Sequence, residues 1–319
     1  MLCLVWVLHD FHIVQAMHEI ANVDWKWVVL GMAFDVLSYG VQALRWKMLL
    51  KPFGPVRLTR SIRAVYTGLF ANLVFPLRPG EFLRSYLLAT SENIKLGRVL
   101  GSLGVERLID LVIATASLAM ASLFVELPRR FNRIASILGI VTLVVLAVII
   151  ALIFYLEMKL GSDSPPEIEG RGFRAKAMGA LSVLHAIGTA PSFYPALFLS
   201  LLMTFCQVLG LWSMVKSYGL HLPFLASLVV LLVINLGVSL PNAPANVGAY
   251  QFFCVLGLSV FQVEKSTATG FSIFAFLALT FPFVFLGFAA LMRSGLSMRS
   301  MREQVVGIPS GLRKSVPQT

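Results

Sequence analysis

Asn72, Pro76, Arg78, Pro79, Gly80, Glu81 and Arg84 form the densest polar cluster of the chain, and they interrupt an apolar run. Two guanidiniums and a carboxylate this close can hold a phosphate or carboxylate, because arginine offers paired N–H donors and glutamate adds a counter-charge or proton site. Pro79 suits the first turn of a restarting helix, which sets Glu81 beside free backbone N–H groups at the positive end of the helix dipole. Arg78, Glu81 and Arg84, three apart, then share one face. The competing reading is a cytoplasmic loop whose arginines reach toward headgroups.

Glu106, Arg107 and Asp110 form a second cluster at the opening of the next apolar stretch. The acids are four apart and Arg107 lies between them, so one cation meets two carboxylates. Pairing of Glu81 with Arg107, or of Arg84 with Asp110, would join the clusters; an ion pair at the membrane boundary is the alternative. Later, Asn235, Ser239, Asn242, Asn246, Tyr250 and Gln251 surround Pro241, Pro244 and Gly248 in a stretch without charge from Leu222 through Gln262. Amides there either satisfy backbone groups freed by the breaks or receive a polar headgroup. Asp35, with Ser38, Tyr39 and Gln42 at helical offsets, is a mid-span carboxylate that should face the bundle, with Arg78 or Arg107 as its partner. His9 and His12 lack further ligands at suitable spacing, and Cys3, Cys206 and Cys254 sit in apolar runs. No metal, disulfide framework or cofactor is expected.

These residues must be positioned by membrane helices. The chain is 58% hydrophobic and 13% charged, its mean hydropathy is +0.84, and several runs reach the roughly 20 residues that cross a hydrocarbon core. The pattern of alternation that a membrane barrel needs is missing. The expected fold is all-α: a polytopic membrane protein of about six to eight membrane helices plus two broken or re-entrant hairpins, in two pseudo-repeated halves. Residues 1–292 read as a single transmembrane domain and 293–319 as a basic cytoplasmic tail. Within the domain, residues 1–8 read as the end of a truncated helix, and spans are expected near 25–44, 108–125, 134–155, 195–215 and 267–292. The hairpins occupy 64–90 and 222–261, a flexible loop covers 162–172, and residues 173–188 suit an interfacial helix. Trp25, Trp27 and Trp46 would mark the interfaces of the first span. The net charge of +11 falls in short segments between spans and in the tail, which favours lipid headgroups over nucleic acid as partners. Counting back from a cytoplasmic C-terminus makes the two halves inverted, although Arg129, Arg130 and Arg133 then fall on the outer side.

The chain resembles the membrane region of lysylphosphatidylglycerol synthases and the UPF0104 flippase-like proteins. The likeness rests on Arg45-Trp46, on Asn72, Pro76, Arg78, Gly80, Glu81 and Arg84, on Glu106-Arg107 with Asp110, and on Pro241, Pro244-Ala245-Asn246 and Gly248. It implies a multi-pass protein of the bacterial inner membrane that moves or handles lipids. Gln251 departs from the acid that family members often carry there. Because a soluble transferase domain would follow the membrane part and the chain stops soon after its last span, synthase activity is not expected. The expected function is translocation of a phospholipid, polyprenyl lipid or glycolipid, with anionic membrane lipids as partners. Its path would be Asp35, Asn72, Arg78, Glu81, Arg84, Glu106, Arg107, Asp110, Asn235, Asn246 and Gln251. The alternatives are a membrane enzyme using Glu81 or Asp110 as base, against which no nucleophile and base pair or nucleotide-binding loop appears, and an accessory subunit for a lipid-synthesis enzyme or glycosyltransferase.

Overall fold

A computed structural model of the chain describes residues 6–7, 18–76, 78–124, 129–160, 173–239 and 243–293. Most of the 1–8 segment, His9, His12, the 162–172 loop, Pro241, Asn242 and the tail past Arg293 lie outside the described residues. Among the described residues every regular element is helical. Helix α1 spans Trp25–Leu50, starting where the Asp24 carboxylate accepts from the Lys26 N–H at 3.0 Å. A 3₁₀ turn, Lys51–Phe53, leads to α2, Leu58–Val74. Pro76 lacks the N–H that a further turn would need, and the chain returns as α3, Gly80–Glu92, which stops at Asn93 in the left-handed conformation that asparagine tolerates. There follow α4, Leu96–Phe124; α5, Arg129–Leu160; α6, Phe173–Gly188; α7, Phe193–Ser217; α8, Phe224–Ser239; α9, Ala249–Ser259; and α10, Lys265–Met292. Four stretches, Trp25–Phe53, Leu96–Phe124, Phe193–Ser217 and Lys265–Met292, are long and apolar enough to cross a membrane. The protein is therefore an all-α, multi-pass membrane protein.

One plan, span then broken hairpin then span, occurs twice: α1, α2–α3, α4, and α7, α8–α9, α10. The leading spans of the two halves run antiparallel. The Asp24 N–H donates to the Ser217 carbonyl at 3.1 Å, Gly31 faces Gly210, Arg45 reaches Ser200 and Leu49 packs on Ala196, so position rises along α1 as it falls along α7. Each closing span clasps the hairpin of the other half. Gly287 of α10 lies on Tyr66 and Phe70 of α2, and Leu118 and Ala121 of α4 pack with Leu228 and Val229 of α8. Equivalent elements thus run in opposite senses, which is the inverted arrangement of transporter repeats. One end of the bundle is basic: Arg57 and Arg60 meet Glu92, Arg63 donates to the Arg293 carbonyl, and Arg98 covers Phe53. At the other end Tyr218 and Thr267 both donate to Glu19. The first hairpin opens from the basic end and the second from the opposite one.

The two boundaries that bear on the polar clusters differ from the sequence expectation for one reason. Helix α1 continues past residue 44, and α4 begins at Leu96 rather than 108, because their polar residues satisfy each other. Trp46 is therefore no interfacial belt residue: it is fully buried, and its Nε1 donates to Ser102 of α4 at 3.0 Å. Glu106, Arg107 and Asp110 do not open a span but lie about three turns inside one.

The first hairpin closes without room for a side chain. A Cβ on Gly80 would stand 1.9 Å from the Gly68 carbonyl oxygen and 2.6 Å from Asn72 Oδ1. Gly80→Ala should lower stability by about 1–3 kcal/mol or more through overpacking, whereas Gly104→Ala, where a Cβ meets open space, should be neutral or gain up to about 1 kcal/mol from helix propensity. Thermal unfolding of the purified variants checks the contrast, and equal melting temperatures would refute the close approach.

Candidate functional site

The polar residues of α1, α3, α4 and α7 meet at Glu106. Its carboxylate is fully buried, yet it accepts from Arg45 Nη2 at 2.6 Å, Gln42 Nε2 at 2.7 Å and Arg84 Nη2 at 3.1 Å. Arg45, also fully buried, spends Nη1 on Asp110 Oδ1 at 2.5 Å and Ser200 Oγ at 3.1 Å. The Arg84 guanidinium lies over Trp46 at 4.9 Å. Two cations on one carboxylate, with an amide completing its shell, make the dense charge of this region tenable, because an isolated ion out of water costs several kcal/mol. Closer to the opening, Arg107 pairs with Glu81 and lies 3.8 Å from Asp110. The expected Glu81–Arg107 pair forms. The expected Arg84–Asp110 pair does not, since Arg84 is turned to Glu106 and Asp110 to Arg45.

The two helix breaks meet beside this network. Arg78, at φ 56° in the left-handed region, precedes α3 rather than standing on it, so it does not share a helical face with Glu81 and Arg84. That backbone is strained in a non-glycine residue, the more so before a proline. Its Nη1 donates to the Val238 carbonyl at the end of α8, at 2.6 Å. Asn72 Oδ1 accepts from the Gly80 N–H at 2.8 Å and bridges the break. In the second break, Ala245 and Asn246 both have positive φ, and Gln251 Oε1 accepts from the Gly248 N–H at 2.7 Å. The Gln251 oxygen thus serves the freed backbone, one of the two roles expected of these amides, and Gln251 is not among the residues lining the two cavities described below.

Two adjoining cavities open where the tips meet. The first, about 340 Å³, is lined by Gln42, Asn72, Arg78, Glu81, Arg84, Arg107, Asp110 and Asn235 among others. The second, about 230 Å³, takes in Asp35, Asn246, Tyr250 and Thr280. Tyr39, Asn72, Arg78, Gln207 and Asn235 belong to both. Asp35 faces the bundle as expected, but pairs with neither Arg78 nor Arg107. Arg78 Nε, Arg84 Nε and Asn246 Oδ1 are buried and without hydrogen-bond partners in the structure. Buried polar atoms are rarely left so, and two of them at the first cavity and two at the second, Arg78 being shared, mark a place where a polar guest would complete the set. Among the described residues no group of His, Cys, Asp and Glu is arranged for a metal.

Sequence similarity places this geometry. A family model described as the lysylphosphatidylglycerol synthase TM region matches residues 1–287. The chain belongs to this family. A UPF0104 membrane protein from Methanocaldococcus jannaschii is 24% identical over 269 residues, covering 77% of this chain and 78% of that protein. Three contributors to this lysylphosphatidylglycerol synthase TM-region site stand outside the expected path: Arg45, which entered only through the family resemblance, Gln42, noted only as a helical-offset companion of Asp35, and Gln207. A signal existed for the first two. Asp35, Tyr39, Gln42 and Arg45 recur at offsets of four, three and three, which continues one polar stripe along α1.

Removing the centre of the network should be costly. Arg45→Met leaves Glu106 and Asp110 short of a cation and is expected to destabilise the fold by about 3–5 kcal/mol, with Arg45→Met/Glu106→Gln recovering part of the loss. Thermal unfolding in detergent reads both, and a single variant as stable as the parent would show the pairs to be dispensable.

Proposed function

We propose that the protein translocates an anionic lipid between leaflets, its phosphate held at the junction of the two hairpin tips by Arg78, Arg84 and Arg107. The observation that carries this reading is the pair of buried, unpartnered guanidinium N–H groups, Arg78 Nε and Arg84 Nε, at a cavity built from both breaks. Around the first cavity four arginines, Arg45, Arg78, Arg84 and Arg107, stand against three acids, Glu81, Glu106 and Asp110. One positive charge is in excess, which matches a phosphodiester monoanion. Glu81 and Asp110 orient Arg107 at the more exposed side, where incoming phosphate can compete for it. Asn235 and Asn246 supply uncharged hydrogen bonds from the opposite hairpin. A basic end facing the cytoplasm follows from the positive-inside rule, and opposed hairpins then give the headgroup a route that begins on one side and ends on the other. Membership of a family named for lipid synthases supports a lipid as the cargo. No transferase chemistry is needed for this role.

The test is headgroup transfer in reconstituted vesicles. Arg78→Ala should slow the flipping of a fluorescent phosphatidylglycerol at least about tenfold, the loss of one charge-assisted hydrogen bond of about 1.5–3 kcal/mol, while the protein stays folded. Flipping that persists at the parental rate in the Arg78→Ala/Glu81→Ala double variant would remove the mechanism.

A further inference from the structure

An acid without an ion-pair partner and an arginine only partly committed line the same small chamber. Asp35 forms no ion pair among the described residues, and it stands in the 230 Å³ cavity that Arg78 also lines. Arg78 spends one donor on the Val238 carbonyl and leaves its buried Nε unmatched. The titratable groups that face Asp35 are Tyr39 on its own helix, Tyr66 on α2, Arg78 in the first break and Tyr250 on α9, with Cys254 behind Tyr250. The polar side chains that α7 and α10 give the chamber are the uncharged Gln207 and Thr280. Among the described residues Arg78 is thus the one cationic group lining the chamber that can answer Asp35.

Charge conservation at membrane depth decides what Asp35 does. An ionised acid there is costly unless it is answered. With Asp35 ionised, the four arginines face four acids and the site has no charge to offer a phosphate. With Asp35 protonated, one positive charge is free. Building on the lipid-translocation reading, we infer that Asp35 is a proton-binding site that couples lipid movement to the proton gradient, proton and lipid phosphate being carried in the same direction. As the phosphate takes Arg78, the Asp35 carboxylate accepts one proton from hydronium in the cavity, leaving water. As the phosphate departs on the other side, Asp35 returns that proton to water and answers Arg78 itself. No bond to the lipid is made or broken, and the loaded and empty sites carry the same net charge. By linkage, each ligand favours the other. A hard metal cation fits less well, since it takes about six or more oxygens and this chamber pairs its lone carboxylate with Phe276, Phe283 and aliphatic side chains.

Two measurements test this. In phosphatidylcholine vesicles doped with fluorescent phosphatidylglycerol, with the membrane potential clamped by potassium and valinomycin, the probe should accumulate in the leaflet facing the more alkaline solution. The ratio expected at one proton per lipid is about tenfold per pH unit. Asp35→Asn, close to isosteric, should bring that ratio to one, and Asp35→Glu should restore part of it. In parallel, infrared difference spectra of the reconstituted protein between acidic and alkaline buffer should show a protonated-carboxyl band that Asp35→Asn removes. Parental flipping that ignores the pH gradient, follows a sodium gradient instead, or keeps its pH response in Asp35→Asn would overturn the coupling and leave lipid translocation standing. Absence of flipping in the parent would sink translocation and coupling together, and absence of the band would by itself refute the proton site.

Discussion

A carboxylate wholly out of contact with solvent has to be answered by charge, and Glu106 is answered from two other helices at once. Arg45 and Gln42 come from α1 and Arg84 from α3, while Glu106 itself belongs to α4. Through Arg45 the network extends to Ser200 on α7. The leading span of the first half, its hairpin, its closing span and the leading span of the second half are therefore fixed by one set of ion pairs whose disruption leaves uncompensated charge. Apolar packing, which fills the rest of the interior, is less directional. In lipid it lacks the water-driven component that orders a soluble core.

This fixed core explains why irregular backbone is tolerated at the middle of the bundle. Broken helices expose N–H and carbonyl groups that hydrocarbon cannot satisfy. The breaks satisfy one another instead: Asn72 serves the Gly80 N–H, Gln251 serves the Gly248 N–H, and Arg78 crosses to the Val238 carbonyl. Among the residues that line the two cavities, Arg78 Nε, Arg84 Nε and Asn246 Oδ1 remain unsatisfied. Strain is concentrated there too, since Arg78, Ala245 and Asn246 all hold left-handed backbone. Departures from local rules cluster at the point where the two halves meet, as expected for a working site supported by a well-packed scaffold.

Much of this was legible in the chain. Composition and apolar run length gave the all-α membrane class, the proline and glycine breaks gave the two hairpins, and the Glu81–Arg107 pair followed from residue type and order. The interior end of α1 was not legible in the same way. Arg45 and Trp46 carry the composition of a membrane boundary, and a hydropathy reading ends the span before them. Only their partners on α4, sixty residues away in sequence, make burial possible. The same blindness shifted the start of α4 and left Glu106 unnamed as the partner of Arg84. Gln251 shows the converse: an amide in a polar break is open to both a backbone and a ligand role until its backbone partner is known.

The central claim is that the chamber between the opposed tips holds the phosphate of a lipid on arginines the fold leaves unfilled. Native mass spectrometry of the gently extracted protein reads this most directly. One phosphate-bearing lipid should remain on each chain and be lost when Arg78 and Arg84 are both replaced by Gln. Retention of neutral lipids alone, or of phosphate lipids indifferent to those two replacements, would contradict the account.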